Sequence, residues 1–287
     1  MIFLTFYATM TAKGGVVMTK ALATEGRYFF FEDLINAKSM AGSKHYHNTF
    51  ELYFLEEGEC HYFIDNKLYH VEAGDLVLIP EGTLHKTFYP EKRRARTLIN
   101  CSRHYIPADV MDKLPPLLHL YRNPALVPQL RALLGQIREE YQHPDALSES
   151  VLTTHLHLLF YTLVRNAASC LSISPLPPYI EQAVAHIKAH YAETVTLSDT
   201  ARIISISPEH LSRLFKKETG FGFSEYLTML RLQRAEAMLK SEPHLKISAV
   251  AFACGFNDSN YFSEKFKRVY GFSPIKLRQK SDTYRGI

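Results

Sequence analysis

Three histidines and one carboxylate stand at spacings that can bring them together on one face of a β-sheet. His45, His47 and Glu51 share parity, so their side chains point the same way if one strand carries all three. His85 follows a turn predicted at residues 80–82 and completes the set. Three imidazoles and one carboxylate suit divalent zinc, iron, manganese or nickel with open coordination positions. The spacing therefore predicts either a divalent metal site or a group of pocket and packing residues.

Aromatic residues on neighbouring strand-like segments extend this candidate pocket. Tyr46, Tyr53, Tyr62 and Phe63 could stack on a sugar, or they could belong to the core. The set predicted to contact a small molecule is His45, His47, Glu51, Tyr53, Tyr62 and His85.

A second group of chemically informative residues occurs twice in the C-terminal third. Leu197-Ser198 matches Ile247-Ser248, and residues 211–216 match residues 262–267. Each copy consists of a short predicted helix, a turn of three or four residues and a longer helix, which is helix-turn-helix spacing. A helical bundle with a merely solvated polar face is the alternative. Two copies in register favour DNA binding.

In the longer helix of each copy, apolar residues at i and i+4 face inward and polar residues face outward. Arginine can pair with guanine, asparagine with adenine and glutamate with the cytosine amine, while lysine holds phosphate. The residues predicted to contact DNA are Glu209, His210, Ser212, Arg213 and Lys216 in the first copy and Ser259, Asn260, Glu264 and Lys267 in the second.

Local signals also position these two helices. Ser207 and Asp258 can cap their N-termini, and Gly255 can adopt a positive φ in the second turn. Residues 224–240 between the copies predict a helix that fixes the distance between them.

Composition is that of a folded globular protein. The 287 residues are 46% hydrophobic and 22% charged, which excludes a disordered, collagen-like or coiled-coil chain. The length favours two domains. Residues 179–287 contain 16 Lys and Arg against 11 Asp and Glu, while the rest contains 17 against 18. The basic C-terminal part suggests a polyanionic partner.

The cysteines indicate a reducing compartment. Cys60, Cys101, Cys170 and Cys254 are scattered without a C-x-x-C pair, so neither a disulfide framework nor a zinc ribbon is suggested. No segment reaches the apolar length of a membrane span, and the N-terminus lacks the features of a secretion signal. We expect a cytoplasmic protein without membrane contact.

The period of the hydrophobic pattern changes along the chain. Short strand-like runs separated by turns occupy about residues 27–101, including a hairpin at Asp65-Asn66-Lys67. Two amphipathic helices follow at residues 126–141 and 151–163, and the proline-rich segment 172–178 is typical of a linker. The predicted fold class is multidomain α+β, with an N-terminal β-barrel and helical hairpin and a C-terminal all-α domain with two helix-turn-helix motifs.

A long motif runs through the C-terminal part: Arg231-Leu232, Ala235, Leu239, Ile247-Ser248, Val250-Ala251, Gly255-Phe256, Asp258, Tyr261-Phe262-Ser263, Phe266-Lys267 and Gly271-Phe272-Ser273-Pro274. It resembles the signature of AraC/XylS-type transcription regulators over about residues 179–280. The resemblance implies two recognition helices that enter successive major-groove segments on one face of DNA. Ser205 departs from the family pattern, where glycine is common, and weakens the first turn. Glu264 stands where a basic residue is common, which argues against a strong phosphate or guanine contact there.

The pattern of the β half is also familiar: Gly42, His45, His47, Glu51 and Gly58, then Gly74, Asp75, Pro80, Gly82 and His85. It resembles both halves of the cupin motif. Cupin (jelly-roll-like) barrels form the sensor half of many AraC-type regulators, in which such histidines contact a sugar or line the pocket. A metal-dependent cupin enzyme of the dioxygenase or isomerase type, with an auxiliary helical domain, is the alternative function. An enzyme has no reason to repeat a recognition helix, so the sequence favours regulation.

The two resemblances imply an organisation and a set of partners for this chain. We expect a disordered or misassigned N-terminus at 1–20, a cupin-like effector-binding domain at 21–106, a helical dimerisation region at 107–171, a linker at 172–178 and a DNA-binding domain at 179–280, with helix-turn-helix motifs at 197–218 and 247–270. The implied partners are promoter or operator DNA, a small-molecule effector such as a sugar, a second copy of the chain, and RNA polymerase if the protein is an activator. A divalent metal in the cupin domain is the one cofactor considered.

Overall fold

Two antiparallel sheets form the N-terminal part of the computed structural model, which describes residues 20–24, 27–35, 49–65, 67–89, 94–111, 113–114, 120–166, 173–174 and 176–285. The strands are β1 (Lys20–Thr24), β2 (Arg27–Ile35), β3 (Phe50–Glu57), β4 (Glu59–Ile64), β5 (Lys67–Glu72), β6 (Leu76–Ile79), β7 (His85–Phe88), β8 (Ala95–Cys101), β9 (Leu120–Tyr121) and β10 (Ile173–Ser174). The larger sheet has the order β1-β2-β8-β3-β6-β9 and the smaller sheet β10-β5-β4-β7. The predicted N-terminal β-domain is confirmed.

The predicted hairpin joins β4 to β5. Tyr62 lies opposite Tyr69, and Asp65 has a positive φ of 41°, which aspartate tolerates better than most residues. Asn66 lies outside the described residues. Because side chains alternate along a strand, Tyr62 points into the space between the sheets and Phe63 points outward, toward the C-terminal helices. Phe63 is therefore not a pocket residue, contrary to one of the two interpretations of the sequence.

After β8 the described chain is mainly helical. The described residues form α1 (Ala108–Met111), α2 (Val127–Gln142), α3 (Ser148–Arg165), α4 (Pro178–His190), α5 (Leu197–Ile203), α6 (Pro208–Thr219), α7 (Phe223–Ser241), α8 (Ile247–Ala253), α9 (Ser259–Tyr270) and α10 (Pro274–Arg285). Helices α2 and α3 form a helical hairpin, and α5–α6 and α8–α9 form two helix-turn-helix units. Within the described ranges, no helix combines the length and apolarity needed to cross a membrane.

The α2–α3 hairpin covers one face of the larger sheet. Leu134 and Ile137 of α2 and Leu156 of α3 belong to one buried cluster with Phe54 and Ile99 of the sheet. A fully buried side chain of this kind stabilises the fold by about 1.5–3 kcal/mol relative to exposure. The other face of the larger sheet is turned toward the smaller sheet, so the space between the sheets is enclosed.

The segment predicted as a linker is more ordered than its prolines suggest. Ile173 pairs with Tyr69, and Ser174 pairs with Leu68, so β10 forms an edge of the smaller sheet. Leu176 is buried, and α4 begins at Pro178 rather than after it. Proline fits the first turn of a helix because the N–H it lacks has no partner there. The proline run therefore starts a helix as well as ending the preceding segment.

The β-domain and the C-terminal helices share a hydrophobic core. Phe63, Leu68 and Leu84 from the smaller sheet lie in the same buried cluster as Ile180 of α4 and Tyr226 of α7. From the sequence, each of the two expected domains is long enough to bury a core of its own. The shared core arises because the smaller sheet is apolar on both faces, and its outer face is covered by the helices.

Candidate DNA-binding surface and effector pocket

The first helix-turn-helix consists of α5, a short turn and α6. The hydroxyl of Ser207 accepts a hydrogen bond from the His210 backbone N–H at 3.2 Å, which confirms the predicted cap. Ser205 has a φ of 60°, a left-handed conformation that costs a non-glycine residue about 1–2 kcal/mol. The first turn therefore forms, but its backbone is strained at Ser205, as expected for a serine where glycine is common.

The predicted contact residues of α6 lie at the protein surface. Leu211 and Phe215 are fully buried on the inner side of the helix. The guanidinium of Arg213 lies 3.3 Å from His210 Nδ1, so the two side chains are neighbours. The exposed residues are Glu209, His210, Ser212, Arg213 and Lys216.

Lys216 is exposed, yet its side chain already contacts other residues of the protein. Its Nζ donates to the Gly220 carbonyl at 2.7 Å and lies 3.9 Å from a carboxylate oxygen of Glu225. A lysine held in this way must give up the Gly220 contact before it can reach a phosphate. The sequence predicts the position of Lys216 on the helix but not this second interaction.

The second helix-turn-helix repeats the geometry with a different turn. Gly255 has a φ of 84°, as predicted, and Asp258 Oδ1 accepts hydrogen bonds from the backbone N–H groups of Asn260 and Tyr261 at 2.7 Å. Ser259 is half-buried, whereas the other predicted contact residues of α9 are exposed; these are Asn260, Glu264 and Lys267.

Helix α7 connects the two units. It has 19 residues, so it is about 28 Å long at 1.5 Å per residue. Its apolar side is buried, including Leu227, Leu230, Leu232, Ala235 and Leu239. A rigid, buried helix of this length can hold two recognition helices close to one DNA turn of about 34 Å apart.

The space between the sheets contains a buried polar group. The Tyr62 hydroxyl donates to Glu51 Oε1 at 3.0 Å, and His85 Nε2 lies 3.6 Å from Glu51 Oε2. The second ring nitrogen of His85 lies 2.8 Å from the Thr83 carbonyl oxygen. Strands β3, β4 and β7 each supply one of these side chains, so three predicted pocket residues come together from distant parts of the sequence.

A second polar contact lies beside the first. The hydroxyls of Tyr53 and Tyr89 are 3.1 Å apart, and the rings of Tyr53 and Tyr62 pack edge to face at 5.1 Å. Burial raises the pKa of both Tyr53 and Tyr62 well above the ordinary tyrosine value. The nearby Cys60 thiol has a pKa raised to about 12, also by burial. All three groups are therefore neutral near pH 7.

The metal-site prediction is only partly addressed by the structure. His45 and His47 lie outside the described residues, as does Tyr46. Glu51 and His85 lie together, but within the described ranges no three His, Cys, Asp or Glu residues are arranged to hold a metal ion. The four-ligand set stays a prediction.

Two arginines near the pocket were not predicted from the sequence. The Arg96 guanidinium lies 5.8 Å from the Tyr53 ring and binds Glu32 at 2.6 Å, while Arg94 stacks on Tyr89 at 3.6 Å. The sequence could have indicated Arg96, because residues two apart on a strand point to the same face and Leu98 faces the pocket. An arginine on the inner face of a strand indicates a polar interior.

Strand β7 connects the pocket to the first DNA-binding unit. His85 points inward, whereas the next residue, Lys86, points outward and binds Glu225 at the start of α7 with an Nζ–Oε1 distance of 3.1 Å. The Lys86 ammonium also lies 4.5 Å from the Phe221 ring centroid. Gln233 of α7 donates to the Gly82 carbonyl at 2.8 Å. We call this set of contacts the junction.

The junction keeps Glu225 ionised. Burial acts to raise the pKa of its carboxyl, but hydrogen bonds from the Gly222 N–H and Lys86 outweigh burial and lower the pKa below the usual glutamate value. Burial lowers the pKa of Lys86, and the Glu225 carboxylate opposes that effect. The ion pair thus joins β7 to the N-terminus of α7, where Glu225 also accepts the Gly222 N–H, three residues beyond the end of α6.

Comparison with known proteins identifies both parts of the chain. Residues 41–157 match the model of the AraC-like ligand binding domain, and residues 200–280 match the model of a helix-turn-helix domain. The HTH-type transcriptional activator RhaS of Escherichia coli (strain SE11) is 24% identical over 255 residues, covering 84% of this chain and 89% of the relative. RhaS of Enterobacter sp. (strain 638) is 26% identical over 251 residues, covering 83% and 88%.

A solved structure is similar to part of the chain. The C-terminal domain of AraT, a response regulator from Geobacillus stearothermophilus, is 34% identical, covers 37% of this chain and 88% of that chain, and has a TM-score of 0.36. The relatives are transcription regulators, which supports regulation over the cupin-enzyme alternative. With both a sensor model and a DNA-binding model matched in order, the chain belongs to the AraC/XylS family of DNA-binding transcription regulators that respond to a small-molecule effector through an N-terminal ligand-binding domain.

Proposed function

We propose that this regulator reads DNA through the outward faces of α6 and α9, in two successive major-groove segments. The observation that supports this most directly is the repeated geometry: each helix is capped by a side chain, buries two large apolar residues and presents polar residues outward. Arg213 can pair with guanine and Asn260 with adenine, while Lys216 and Lys267 can hold phosphates. The bacterial cytoplasm is the compartment in which such a protein meets its operator.

Substitution of Arg213 and Lys216 separates base reading from phosphate binding. We expect Arg213→Ala to cost about 1–3 kcal/mol of binding free energy at one base position and to relax specificity there. Lys216→Ala removes a phosphate contact together with the hydrogen bond to the Gly220 carbonyl. Neither contact reads a base, so the substitution should weaken binding to all sequences alike and reduce the salt slope by about 0.9. The measurement is affinity, at several salt concentrations, for an operator selected from a random duplex library and for its single-base variants.

Lys113→Ala is the control for lost charge, because Lys113 is exposed in the N-terminal part of the chain, away from α6. It should change affinity less than either substitution. Equal, sequence-independent losses for Arg213→Ala and Lys216→Ala would mean that Arg213 only holds phosphate. No salt-sensitive binding by the unmodified chain would contradict the proposal as a whole.

We further propose that the effector binds between the sheets, against Glu51, Tyr53, Tyr62 and His85, with His45 and His47 as additional contacts. A buried carboxylate can accept hydrogen bonds from hydroxyl groups, and tyrosine rings can stack on the apolar face of a sugar. This chemistry favours a small polyhydroxylated molecule. Activation, with contact to RNA polymerase, is proposed from the similarity to relatives named as transcriptional activators.

The effector signal would travel along β7. An effector that contacts His85 would act on β7. The opposite face of this strand carries Lys86, which forms an ion pair with Glu225. Effector binding can shift the position of the DNA-binding domain only if the effector has different affinities for two arrangements of the junction. The junction is therefore the element whose two states the effector would distinguish.

Homodimerisation through α3 is also proposed. Leu147, Val151, Thr154, Leu158 and Tyr161 follow one another at alternating spacings of four and three residues, which is the seam of a coiled coil. Leu158 is 46% exposed and Leu147, beside the helix N-terminus, is 66% exposed, so this seam faces solvent in the single chain. Large apolar side chains on one stripe are typical of an interface.

Replacing Leu158 with aspartate should weaken the dimer. A charge in an apolar seam loses its hydration when the seam closes, so we expect the dimer dissociation constant to rise at least tenfold, or by about 1.4 kcal/mol. Sedimentation velocity across a concentration series measures the constant. Ala237→Asp, at an exposed position of α7, is the control with the same added charge. An unchanged dissociation constant for Leu158→Asp would place the interface elsewhere.

A further inference from the structure

A crevice lies between α7 and α9, on the flank of the second helix-turn-helix rather than on its predicted reading face. Its volume is about 340 Å³. Leu232 and Val269 form an apolar floor, and the rim carries the hydroxyl groups of Ser224 and Thr228. The Thr228 hydroxyl donates to the Ser224 carbonyl at 2.8 Å, which leaves the Ser224 hydroxyl as the donor of the rim. Lys265 and Arg268 of α9 complete the rim, so one hydroxyl donor and two cations meet at one place.

The charge of the crevice is positive and not neutralised internally. Lys265 lies 5.0 Å from the Tyr261 ring, and within the described part of the chain neither Lys265 nor Arg268 forms a salt bridge. Glu225 also lines the crevice, but its carboxylate is taken up by Lys86 and the Gly222 N–H. Two cations beside an already neutralised carboxylate suit an anion.

The position of these cations on α9 indicates which anion. Residues 261, 265 and 268 each follow a residue of the predicted reading face by one position, or about 100° around the helix. A helix about 10–12 Å wide fills a major groove about 12 Å wide, so its flanks face the sugar–phosphate walls. Because α7 lies on this flank and leads back to the first unit, the crevice faces the backbone between the two groove segments.

We propose that the crevice between α7 and α9 binds a backbone phosphodiester of DNA, through Lys265 and Arg268 with a hydrogen bond from the Ser224 hydroxyl. This inference rests on the proposed DNA-binding function and adds a contact outside both reading faces. The first unit has no equivalent, because Leu214 of α6 stands in place of Lys265. The phosphate site therefore distinguishes the two pseudo-equivalent units and fixes the direction in which the protein lies on its operator.

The test uses the full chain and an operator selected from a random-sequence duplex library. The variants are Lys265→Gln, Arg268→Gln and both together, with Lys113→Gln, exposed in the sensor domain, as the control for lost charge. Loss of one phosphate contact should lower the salt slope by about 0.9, which corresponds to an affinity loss of about eightfold at 0.1 M salt. The ratio of affinities for the selected and a scrambled duplex should not change, because phosphate contacts carry no sequence information.

A scan of the operator with single neutral methylphosphonates locates the contact. We expect one position between the two groove segments to weaken binding of the unmodified chain but not of the double variant. The inference is overturned if the variants behave like Lys113→Gln, or if every methylphosphonate position affects the double variant as it affects the unmodified chain. In both cases the salt-sensitive binding of the unmodified chain leaves the proposed function standing. Absence of that binding overturns the proposed function and this inference together.

Discussion

Gly255→Ala should destabilise the second helix-turn-helix by about 2–5 kcal/mol. A left-handed φ of 84° costs alanine about 1–2 kcal/mol. The new Cβ would also lie 2.6 Å from the Tyr191 carbonyl oxygen and 2.9 Å from Ala192 Cα. Both are backbone atoms, so relief requires the end of α4 to move, and overpacking of this kind costs about 1–3 kcal/mol.

Gly271→Ala isolates the backbone contribution to this effect. Gly271 has a φ of 78°, but a Cβ added there meets nothing within 4 Å. We expect it to lose only about 1–2 kcal/mol. Chemical denaturation followed by circular dichroism gives the free energy of unfolding of each variant. Equal losses for the two substitutions would show that contact with α4 is unimportant.

The same comparison explains why the first unit tolerates serine. Ser205 has a φ of 60° at the turn position that corresponds to Gly255, so the first unit already bears the strain of a left-handed side chain. Arg231 approaches the second turn instead, donating to the Tyr191 and Glu193 carbonyls at 2.7 Å. The second turn is crowded by the end of α4, and crowding leaves room for glycine alone.

Phe63→Ala should separate the sensor domain from the DNA-binding domain. Phe63 is fully buried, and its ring packs edge to face on Phe221 at 6.1 Å and on Tyr226 at 6.0 Å. Removing a buried phenylalanine side chain costs about 3–5 kcal/mol. Because the lost contacts are largely with the other domain, the loss should reduce the coupling between the domains more than the stability of either one.

Differential scanning calorimetry measures this coupling. We expect the heat-capacity peak of the unmodified chain to split into two in Phe63→Ala. Phe54→Ala is the control, because Phe54 is equally buried but belongs to the cluster beneath α2 and α3. It should lower the sensor transition without freeing the DNA-binding domain. Splitting in both variants, or in neither, would contradict a coupling role for Phe63.

The helix-turn-helix units could be predicted because their signals are local. Ser207 and Asp258 lie within three residues of the N–H groups they cap, and Leu211 and Phe215 lie one helical turn apart. The polar pocket was predicted in part, since strand parity places Glu51 inward but does not show that Tyr62 donates to it. Contacts between strands distant in sequence depend on the sheet order, which no single-strand pattern contains.

The junction could not be predicted for the same reason. The partners Lys86 and Glu225 are 139 residues apart, and neither stands in a pattern that names the other. Phe63 weakly indicated an interdomain contact, because an aromatic residue on the outer face of a strand is stabilised when another element packs on it. The linker prediction was wrong at Pro178, which is the first residue of α4. Proline can end one element or begin the next, so the prolines alone do not distinguish the two.

Strand β10 has a consequence for the sensor domain on its own. By pairing with β5, two residues just before α4 satisfy backbone groups that would otherwise form an open edge of the smaller sheet. An unpaired edge strand is a template for strands of other molecules. A sensor fragment ending before residue 173 would expose that edge together with the apolar face around Phe63. Such a fragment could aggregate through either the open strand edge or the exposed apolar face. In the intact chain, β10 and the C-terminal helices cover both.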